Sequence, residues 1–297
     1  MSEQKNKTHW ENLSRMKYLR ESRKNLWNLD YFEFLVKHVW KMDKPIRILD
    51  MGCGMGYLGS VLLPLLPEGS TYTGIDIGEK LLDEAQAIFS NYSNVDFILQ
   101  DLNEYEPTEK YDLVICQCVL IHIPSPQSIL DKMIKSVIPG GRVICIEPNW
   151  VFTNLGVYRH KMEVYSHMDW GVIQKWFDGA LQHSGRDSYI GIKIPAMMHD
   201  LGLKNIDIRI NDKANFNFQA PDGAKLGKDR IEGQRKFYEN PEFYDKNGRN
   251  STGMTMDEQL KYFEGVLLTE KFENDRDIPL PVVEAAAWLI SYGEKPV

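Results

Sequence analysis

The chain has 297 residues, of which 43% are hydrophobic and 26% are charged, and its formal net charge is −7. This composition is ordinary for a globular protein, and the length allows one α/β domain with large insertions or two small domains. The acidic balance disfavours general nucleic-acid binding, because that function needs clustered Lys and Arg to neutralise phosphates.

Helical patterns open the chain at 10–23 and 31–41, and residues 1–30 lack the apolar core of a signal peptide. Short apolar runs then alternate with helical patterns. Predicted strands cover 46–50, 70–76, 95–99, 111–116 and 141–147, and predicted helices begin near Tyr57 and cover 79–90 and 126–137. This alternation predicts a parallel sheet with right-handed crossovers.

The alternation stops after residue 147. Residues 149–190 are rich in aromatic side chains without a clean period, and a helix at 194–201 and a strand at 205–210 follow. Gly202 is the predicted C-cap of that helix. Residues 212–282 are mostly polar and predicted to be helical or looped, and 286–292 predict a last strand. No apolar run approaches the roughly 18–20 residues that span a bilayer, so we expect a cytoplasmic protein without a membrane span.

Cys116, Cys118 and Cys145 lie in apolar, strand-like runs. Four cysteines in a chain of this length do not form a disulfide framework, so we expect reduced, buried thiols. Cys116 and Cys118 lack a second ligand pair at the spacing of a zinc site, and we expect no metal.

A glycine-rich loop follows the first predicted strand and precedes a helix. It reads Asp50-Met-Gly52-Cys53-Gly54-Met-Gly56. Glycines let the backbone turn sharply and let a ligand approach it closely. Gly54, Gly56 and Gly59 also fit the dinucleotide fingerprint, with Asp76 about twenty residues on. The loop alone therefore leaves two ligand classes open.

Asp50 distinguishes the two. A dinucleotide site holds a pyrophosphate, which a carboxylate directly before the loop would repel. S-adenosylmethionine instead carries a sulfonium and an ammonium, which a carboxylate attracts. We therefore favour S-adenosylmethionine over NAD, with a solvated turn residue as the alternative role for Asp50.

Two more acids follow the next predicted strands. Asp76 could accept hydrogen bonds from both ribose hydroxyls, or cap the next helix. Asp101 could accept from the adenine amino group, with Ile77 and Leu102 on the ring faces, or serve as a turn residue. Because parallel strand ends form the ligand crevice of an open α/β sheet, we expect these side chains to lie close together.

At this point the chain resembles the class I S-adenosylmethionine-dependent methyltransferases. The resemblance covers a little under half of the chain, from 46 to 148, 194 to 210 and 286 to 296. The segments that carry it are Asp50–Gly56, Gly74–Asp76, Gln100–Leu102, Tyr111–Cys116, Leu120–Pro124, Ile138–Arg142 and Trp288–Pro296. The glycine loop is the most specific of them.

The resemblance implies a Rossmann-like, seven-stranded sheet in the order 3-2-1-4-5-7-6, with strand 7 antiparallel and helices on its faces. It implies that Gln117 and Val119 line the methionine side of the cofactor, and that the chain acts on a small-molecule acceptor. The cofactor-binding residues expected in total are Asp50, Gly52, Cys53, Gly54, Gly56, Asp76, Ile77, Gln100, Asp101, Leu102, Gln117 and Val119.

The same resemblance gives the expected domain organisation. We expect a helical N-terminal lid, an α/β core in three pieces, an aromatic-rich insertion, and a mostly helical insertion that forms an acceptor-side cap. In that order the ranges are 1–44; 45–148, 192–211 and 285–297; 149–191; and 212–284. Both insertions depart from the commoner pattern, so the resemblance does not identify the acceptor.

Methyl transfer from a sulfonium is an in-line displacement, and a general base is needed only when the acceptor must lose a proton. The sequence therefore names no certain catalytic residue. His122 and Glu147 are the candidates, as a base or as a contact that orients the acceptor, and His160 and His167 are weaker ones. A structural or surface role is the alternative for each.

Other functions stay open at this level. An NAD(P)-dependent oxidoreductase could use the same glycine loop, but no Tyr-x-x-x-Lys pair follows it. A non-catalytic S-adenosylmethionine-binding protein is a second alternative. A nucleic-acid methyltransferase is disfavoured because Cys116-Gln-Cys-Val-Leu120 replaces the proline-aromatic motif expected after the fourth strand. The oligomeric state is not predicted.

Overall fold

A computed structural model describes residues 9–23, 26–160, 169–216, 255, 257–258, 261–262, 265 and 281–297. The chain divides into two compact units. Unit 1 comprises Met1–Asn149, Tyr189–Lys213 and Ala287–Val297, and unit 2 comprises Trp150–Ser188 and Ala214–Ala286.

Strands and helices alternate through the first half of the described chain. In chain order, the strands are β1 Arg47–Met51, β2 Thr71–Asp76, β3 Val95–Leu99, β4 Tyr111–Gln117, β5 Val137–Pro148, β6 Val157–Arg159, β7 Lys204–Ile210, β8 Ala214–Phe216, β9 Val282–Ala285 and β10 Trp288–Glu294. The α-helices are α1 Leu13–Arg23, α2 Leu29–Phe34, α3 Tyr57–Leu62, α4 Glu79–Ile88, α5 Pro126–Ser136, α6 Trp150–Leu155, α7 Trp170–Ser184 and α8 Ile190–Asp200.

Unit 1 is built on a seven-stranded sheet in the order β3-β2-β1-β4-β5-β10-β7. The first five strands run parallel, and β10 pairs antiparallel with both β5 and β7. This is the predicted order 3-2-1-4-5-7-6, with β10 as the antiparallel seventh strand, so the fold prediction is confirmed. The central strands β1 and β4 are almost wholly buried, and β5 is buried from Val143 to Pro148, as continuous apolar runs require in a sheet covered on both faces.

Several elements of unit 1 differ from their predicted bounds, among them α8, which begins at Ile190 and not at the predicted residue 194. Helix α2 ends at Phe34 and continues as a π-helical turn over Leu35–Val39, where the sequence predicts one helix. Strand β5 begins at Val137, four residues early, because Val137 pairs with Tyr111 across a register irregularity. Strand β10 begins at Trp288 and ends at Glu294, two residues later than predicted at each end.

Unit 2 contains a three-stranded antiparallel sheet in the order β6-β9-β8. Its helix α7 begins after Asp169, whose carboxylate accepts from the N–H groups of Gly171 and Val172, and ends at Gly185 in the left-handed conformation. Strands of three or four residues carry too little periodicity to be predicted. Both ends of the 212–284 insertion contain such strands, β8 and β9. Most of the insertion lies outside the described residues, so its helical content stays a prediction.

Candidate functional site

The carboxyl ends of the parallel strands in unit 1 bring the predicted polar residues side by side. Asp50 stands opposite Gly74 of β2 and Ile115 of β4, and Asp76 stands opposite Leu99 of β3. Gln117 at the end of β4 pairs with Ile146 of β5, directly before Glu147. Four polar side chains therefore end four neighbouring strands, at the edge where an open α/β sheet binds its ligands.

The glycine loop takes its shape from left-handed backbone. Gly52, Gly54 and Gly56 have φ of 79°, 54° and 75°, a region that side-chain-bearing residues rarely adopt. The N–H groups of Gly52 and Cys53 both donate to the carbonyl oxygen of Ile75, at 2.7 and 2.9 Å. These bonds tie the loop to the end of β2.

The space around the loop differs between two of its glycines. A β-carbon on Gly52 would overlap the Cγ2 methyl of Val119, in the loop after β4. A β-carbon on Gly54 would meet no atom of the described chain within 4 Å. The backbone at Gly54 therefore faces open space, which suits the close approach of a ligand.

Asp76 holds the glycine loop and the start of α4 at once. Its Oδ2 accepts from the N–H of Gly54 and its Oδ1 from the N–H of Gly78, both at 2.8 Å. Burial raises the pKa of this carboxyl above its ordinary value, and the backbone N–H groups oppose that rise. Each carboxylate oxygen has more than one lone pair, so Asp76 retains capacity to accept from a vicinal diol.

Asp50 is 1% exposed. Its Oδ2 accepts from the hydroxyl of Tyr72 at 2.6 Å, whereas its Oδ1 is buried without a hydrogen-bond partner among the described residues. Burial raises the pKa of Asp50 to about 7, and the Tyr72 hydrogen bond opposes the rise. A buried carboxylate with one unpaired oxygen is costly, and a cationic ligand group would offset that cost.

Gln117 carries a second unpaired polar atom in the same row. Its side chain is 7% exposed, and its Nε2 is buried with no partner among the residues that the structure describes. A side-chain amide in this state can donate to a ligand oxygen. Asp50 and Gln117 therefore present an acceptor and a donor at the ends of the adjacent strands β1 and β4.

The residues expected around an adenine ring lie after β2 and β3. The N–H of Gln100 donates to the carbonyl oxygen of Asp76 at 3.0 Å, which joins the two strand ends. Asp101 accepts at Oδ1 from the backbone and side-chain amides of Asn103, at 2.8 and 3.0 Å. Leu102 is buried and Ile77 is half-buried. The fold thus brings the predicted acids and apolar residues to one edge.

Cys53 is buried within the loop, and burial raises the pKa of its thiol well above its ordinary value. Cys116, Cys145 and Cys118 are also free thiols. Among the described residues, no three His, Cys, Asp or Glu side chains group closely enough to hold a metal ion. In that same part of the chain, no helix is both long and apolar enough to cross a membrane.

Glu147 is 0% exposed and is used by the backbone. Its carboxylate accepts from the N–H groups of Val119 at 2.8 Å, Leu120 at 2.7 Å and Ile121 at 3.4 Å. These residues belong to the loop after β4, which turns through Cys118 at φ 58° and ends in a 3₁₀ turn over Leu120–His122. This geometry favours a role in shaping the loop over direct contact with an acceptor.

His122 lies half-buried at the end of that 3₁₀ turn. Its ring meets the Trp10 ring edge to face, with centroids 5.2 Å apart. His160 belongs to unit 2, where its Nδ1 lies 3.4 Å from the hydroxyl of Tyr158. His167 lies outside the described residues. The structure therefore brings His122, but not His160, into unit 1 with the glycine loop.

The N-terminal segment touches several elements that carry site residues. The Glu11 carboxylate accepts from the N–H of Lys80 at 3.1 Å, close to Asp76 along the chain. Arg20 pairs with Glu84 of α4 at 2.8 Å. Arg23 lies over the Trp288 ring at 5.5 Å, and its charge lowers the pKa of both Asp50 and Glu147. Such contacts are compatible with a lid, which stays a prediction.

Sequence reasoning missed two contacts in the site. One is the hydrogen bond from Tyr72 to Asp50, and the other is the set of backbone N–H groups that Glu147 accepts. Tyr72 reads as one apolar residue of a buried strand. The register pairs it with Ile48, and its hydroxyl reaches the Asp50 carboxylate only once β1 and β2 have paired. Glu147 lies 28 residues from Val119. No local pattern in the sequence signals either contact.

Comparison with known proteins gives one family match. Residues 42–184 match the family described as "Methyltransferase domain". An uncharacterised protein of Methanocaldococcus jannaschii is 31% identical over 131 residues, which cover 43% of this chain and 36% of that protein. A ubiquinone biosynthesis O-methyltransferase of Klebsiella pneumoniae is 34% identical over 100 residues, which cover 33% of this chain and 40% of the enzyme. The matches thus span less than half of these relatives.

A solved structure supports the fold across a longer stretch. Phosphoethanolamine N-methyltransferase 2 of Haemonchus contortus, in complex with phosphomonomethylethanolamine and S-adenosylhomocysteine, superposes with a TM-score of 0.54. Its sequence is 15% identical, and the superposition covers 97% of this chain and 59% of that one. At this identity the likeness bears on the fold alone.

Proposed function

We propose that the protein is an S-adenosylmethionine-dependent methyltransferase of the class I type that methylates a small-molecule acceptor, and the match of residues 42–184 to the methyltransferase-domain family supports this proposal. One observation carries the proposal further than the family match. Asp50 presents a buried, unpaired carboxylate oxygen directly before a glycine loop whose backbone at Gly54 faces open space. A cationic ligand satisfies that oxygen, whereas a pyrophosphate would be repelled by it.

S-adenosylmethionine fits the rest of this edge group by group. In the proposed arrangement its ammonium lies towards Asp50, and its methionine side towards Gln117 and Val119. The backbone of Gly52, Cys53, Gly54 and Gly56 cradles the ligand. Asp76 accepts from the ribose hydroxyls, as a carboxylate at the end of the second strand does in nucleotide folds.

The adenine ring lies between Ile77 and Leu102 in this arrangement. Asp101 accepts from the amino group of the ring, and Gln100 joins the ribose and adenine sides through its hydrogen bond to Asp76. These assignments are inferred from position at the strand ends and from hydrogen-bonding capacity.

The sulfonium supplies an activated methyl group, so that one S–C bond breaks as one bond from carbon to the acceptor forms. The chain contributes binding, orientation and exclusion of water. An acceptor that loses a proton needs a base, and His122 is our candidate because it lies on the loop after β4 and an imidazole can take up a proton. Glu147 is not our candidate for that proton, because its carboxylate already accepts three backbone N–H groups.

The acceptor class rests on inference from the sequence. The acidic chain disfavours nucleic acid, and the two insertions, 149–191 and 212–284, are where we expect the acceptor to be selected. We expect the protein to act in the cytoplasm.

The test is thermal unfolding of the protein with S-adenosylhomocysteine, S-adenosylmethionine, NAD and NADP in separate samples. A ligand at about 100 times its dissociation constant adds about 2.7 kcal/mol, which raises the midpoint by several degrees. We expect a shift with the two sulfur ligands, lost in Asp76→Ala and kept in Asp83→Ala, a control at an exposed position of α4.

The outcomes separate the alternative functions. A shift with NAD or NADP alone would replace the proposal with an oxidoreductase. A shift with S-adenosylhomocysteine but no methyl transfer to any of a broad panel of phenols, amines and carboxylates would favour a non-catalytic binding protein.

A further inference from the structure

The loop after β4 is held by a side chain from a different strand. Three successive N–H groups, those of Val119, Leu120 and Ile121, point at the Glu147 carboxylate. Oε1 accepts the first two, and Oε2 accepts the third. The arrangement resembles the N-cap of a helix, where one side chain satisfies N–H groups that the turn leaves unpaired. In this loop the cap comes from β5, 28 residues later than Val119.

Through this loop the carboxylate reaches the glycine loop after β1. The side chain of Val119 fills the space that a β-carbon on Gly52 would need. The carbonyl oxygen of Val119 accepts from the N–H of His122 at 2.9 Å, which sets the turn that carries the histidine. Glu147 therefore fixes one residue, Val119, that adjoins both the proposed cofactor loop and the candidate base.

Because Glu147 is buried, its ability to hold the loop after β4 depends on the exact side chain at this position. Burial raises the pKa of Glu147 to about 7, and the three N–H groups, together with Arg23, oppose that rise. Each N–H group left without an acceptor in a buried setting is destabilising. A glutamine can offer its one oxygen to Val119 and Leu120, but its NH₂ group would face the N–H of Ile121. An alanine offers nothing to the three N–H groups.

We propose that Glu147 is a positioning residue, which holds the loop after β4 in place as one wall of the cofactor site and does not itself contact the acceptor. The part that concerns the loop follows from the hydrogen bonds alone. The part that concerns the cofactor rests on the proposed function.

The experiment compares amide hydrogen exchange and S-adenosylhomocysteine affinity in the wild type, Glu147→Ala, Glu147→Gln and Val143→Ala. Val143 is the control because it is fully buried in the same strand and is not among the groups that bond to the loop. We expect Glu147→Ala to raise exchange at residues 119–121 by more than about tenfold relative to the sheet, and to weaken S-adenosylhomocysteine binding by about tenfold or more.

The conservative variant tests positioning against a general loss of stability. Glu147→Gln should protect Val119 and Leu120 better than Ile121, and should recover part of the affinity. Val143→Ala should lower the unfolding temperature without selectively increasing exchange at residues 119–121. If Glu147→Ala does not fold, the residue-by-residue protection pattern in Glu147→Gln decides the question.

Three results would overturn the proposal. One is wild-type exchange at residues 119–121 in a folded Glu147 variant. Another is a loosened loop with unchanged S-adenosylhomocysteine affinity, and the third is a Val143→Ala protein that loosens the loop equally. If the wild type binds no S-adenosylhomocysteine, the proposed function fails, and so does the cofactor part of this inference. The exchange data then still decide whether Glu147 holds the loop.

Discussion

The two loops that meet at the strand ends of unit 1 are held in different ways. The loop after β1 takes its shape from three glycines with positive φ, all within five residues. The loop after β4 contains no glycine, and Glu147 of β5 holds it through three N–H groups. The conformation of the first loop is set by residues within the loop, whereas that of the second depends on the pairing of β4 with β5.

The difference bears on how each loop responds to change. Adding a β-carbon to a glycine at positive φ lowers the unfolding free energy, by an amount that depends on the atoms that the new group meets. Removing a buried carboxylate that holds a loop also changes the unfolding free energy, and so does a change in the charge of that carboxylate. Four comparisons of variants separate these responses, in order from the largest expected effect to the smallest.

The contact between the two loops gives the largest effect. Gly52→Ala places a methyl against Val119 at a positive φ, and we expect a loss of about 2–4 kcal/mol in unfolding free energy. Gly54→Ala meets no atom within 4 Å, so strain at its positive φ should cost only about 1–2 kcal/mol. Both should weaken S-adenosylhomocysteine binding more than about tenfold. Thermal unfolding measures the stability of each variant, and calorimetric titration measures its affinity. Equal destabilisation by Gly52→Ala and Gly54→Ala would contradict the importance of the contact with Val119.

The buried carboxyl of the first loop should make stability depend on pH. Burial raises the pKa of Asp50 to about 7, so the folded state binds more protons than the unfolded state between about pH 4 and pH 7. Stability must then fall as the pH rises through that window. Glu147 acts in the same direction, because burial raises its pKa from the ordinary value to about 7.

Asp50→Asn removes the contribution of that group. As the pH rises from 5 to 8, the unfolding free energy of the variant should increase relative to that of the wild type by about 3 kcal/mol. The variant should also bind the ligand more weakly. Urea unfolding at several pH values measures the difference. A gap that stays constant with pH would mean that Asp50 is charged throughout. Bound S-adenosylmethionine should flatten the wild-type slope, because a nearby cation lowers the pKa of the carboxyl.

Asp76 tests how the first loop is tied to β2. Asp76→Asn leaves one oxygen for two N–H groups, those of Gly54 and Gly78, and should cost about 1–3 kcal/mol of stability. Affinity for S-adenosylhomocysteine should fall about 100-fold. Asp101→Asn is the matched control, because the oxygen that accepts from Asn103 is kept, and its stability should match the wild type. Equal losses of stability in both variants would argue against a special role of Asp76.

The smallest effect on cofactor affinity is expected at the end of the second loop. His122→Ala removes a ring that packs on Trp10 and should cost about 1 kcal/mol of stability. S-adenosylhomocysteine affinity should change less than about threefold, while turnover falls if the acceptor must lose a proton. Trp10→Ala removes the same ring contact and keeps the histidine. A large loss of affinity in His122→Ala alone would place His122 in the cofactor site.

The positions of the central strands and the glycine loop were predictable because their causes are local, whereas the strand order was implied by the resemblance to a known family. An apolar run such as that of β1 and a group of closely spaced glycines can each be recognised within a short stretch of sequence. The edges of elements were less predictable, since the early start of β5 depends on the pairing of Val137 with Tyr111 of β4. The three short strands of unit 2 were missed because each has too few residues to show a period.

By itself, the sequence determined which residues end the strands of unit 1 and therefore which side chains face its ligand edge. Only the tertiary structure decided what each of those side chains does there. Asp50 is hydrogen-bonded to Tyr72 at one oxygen and has no partner among the described residues at the other, and Glu147 caps a loop through Val119, 28 residues before it. The physical reason is that hydrogen bonds between strands depend on register and burial, which exist only once the sheet has formed.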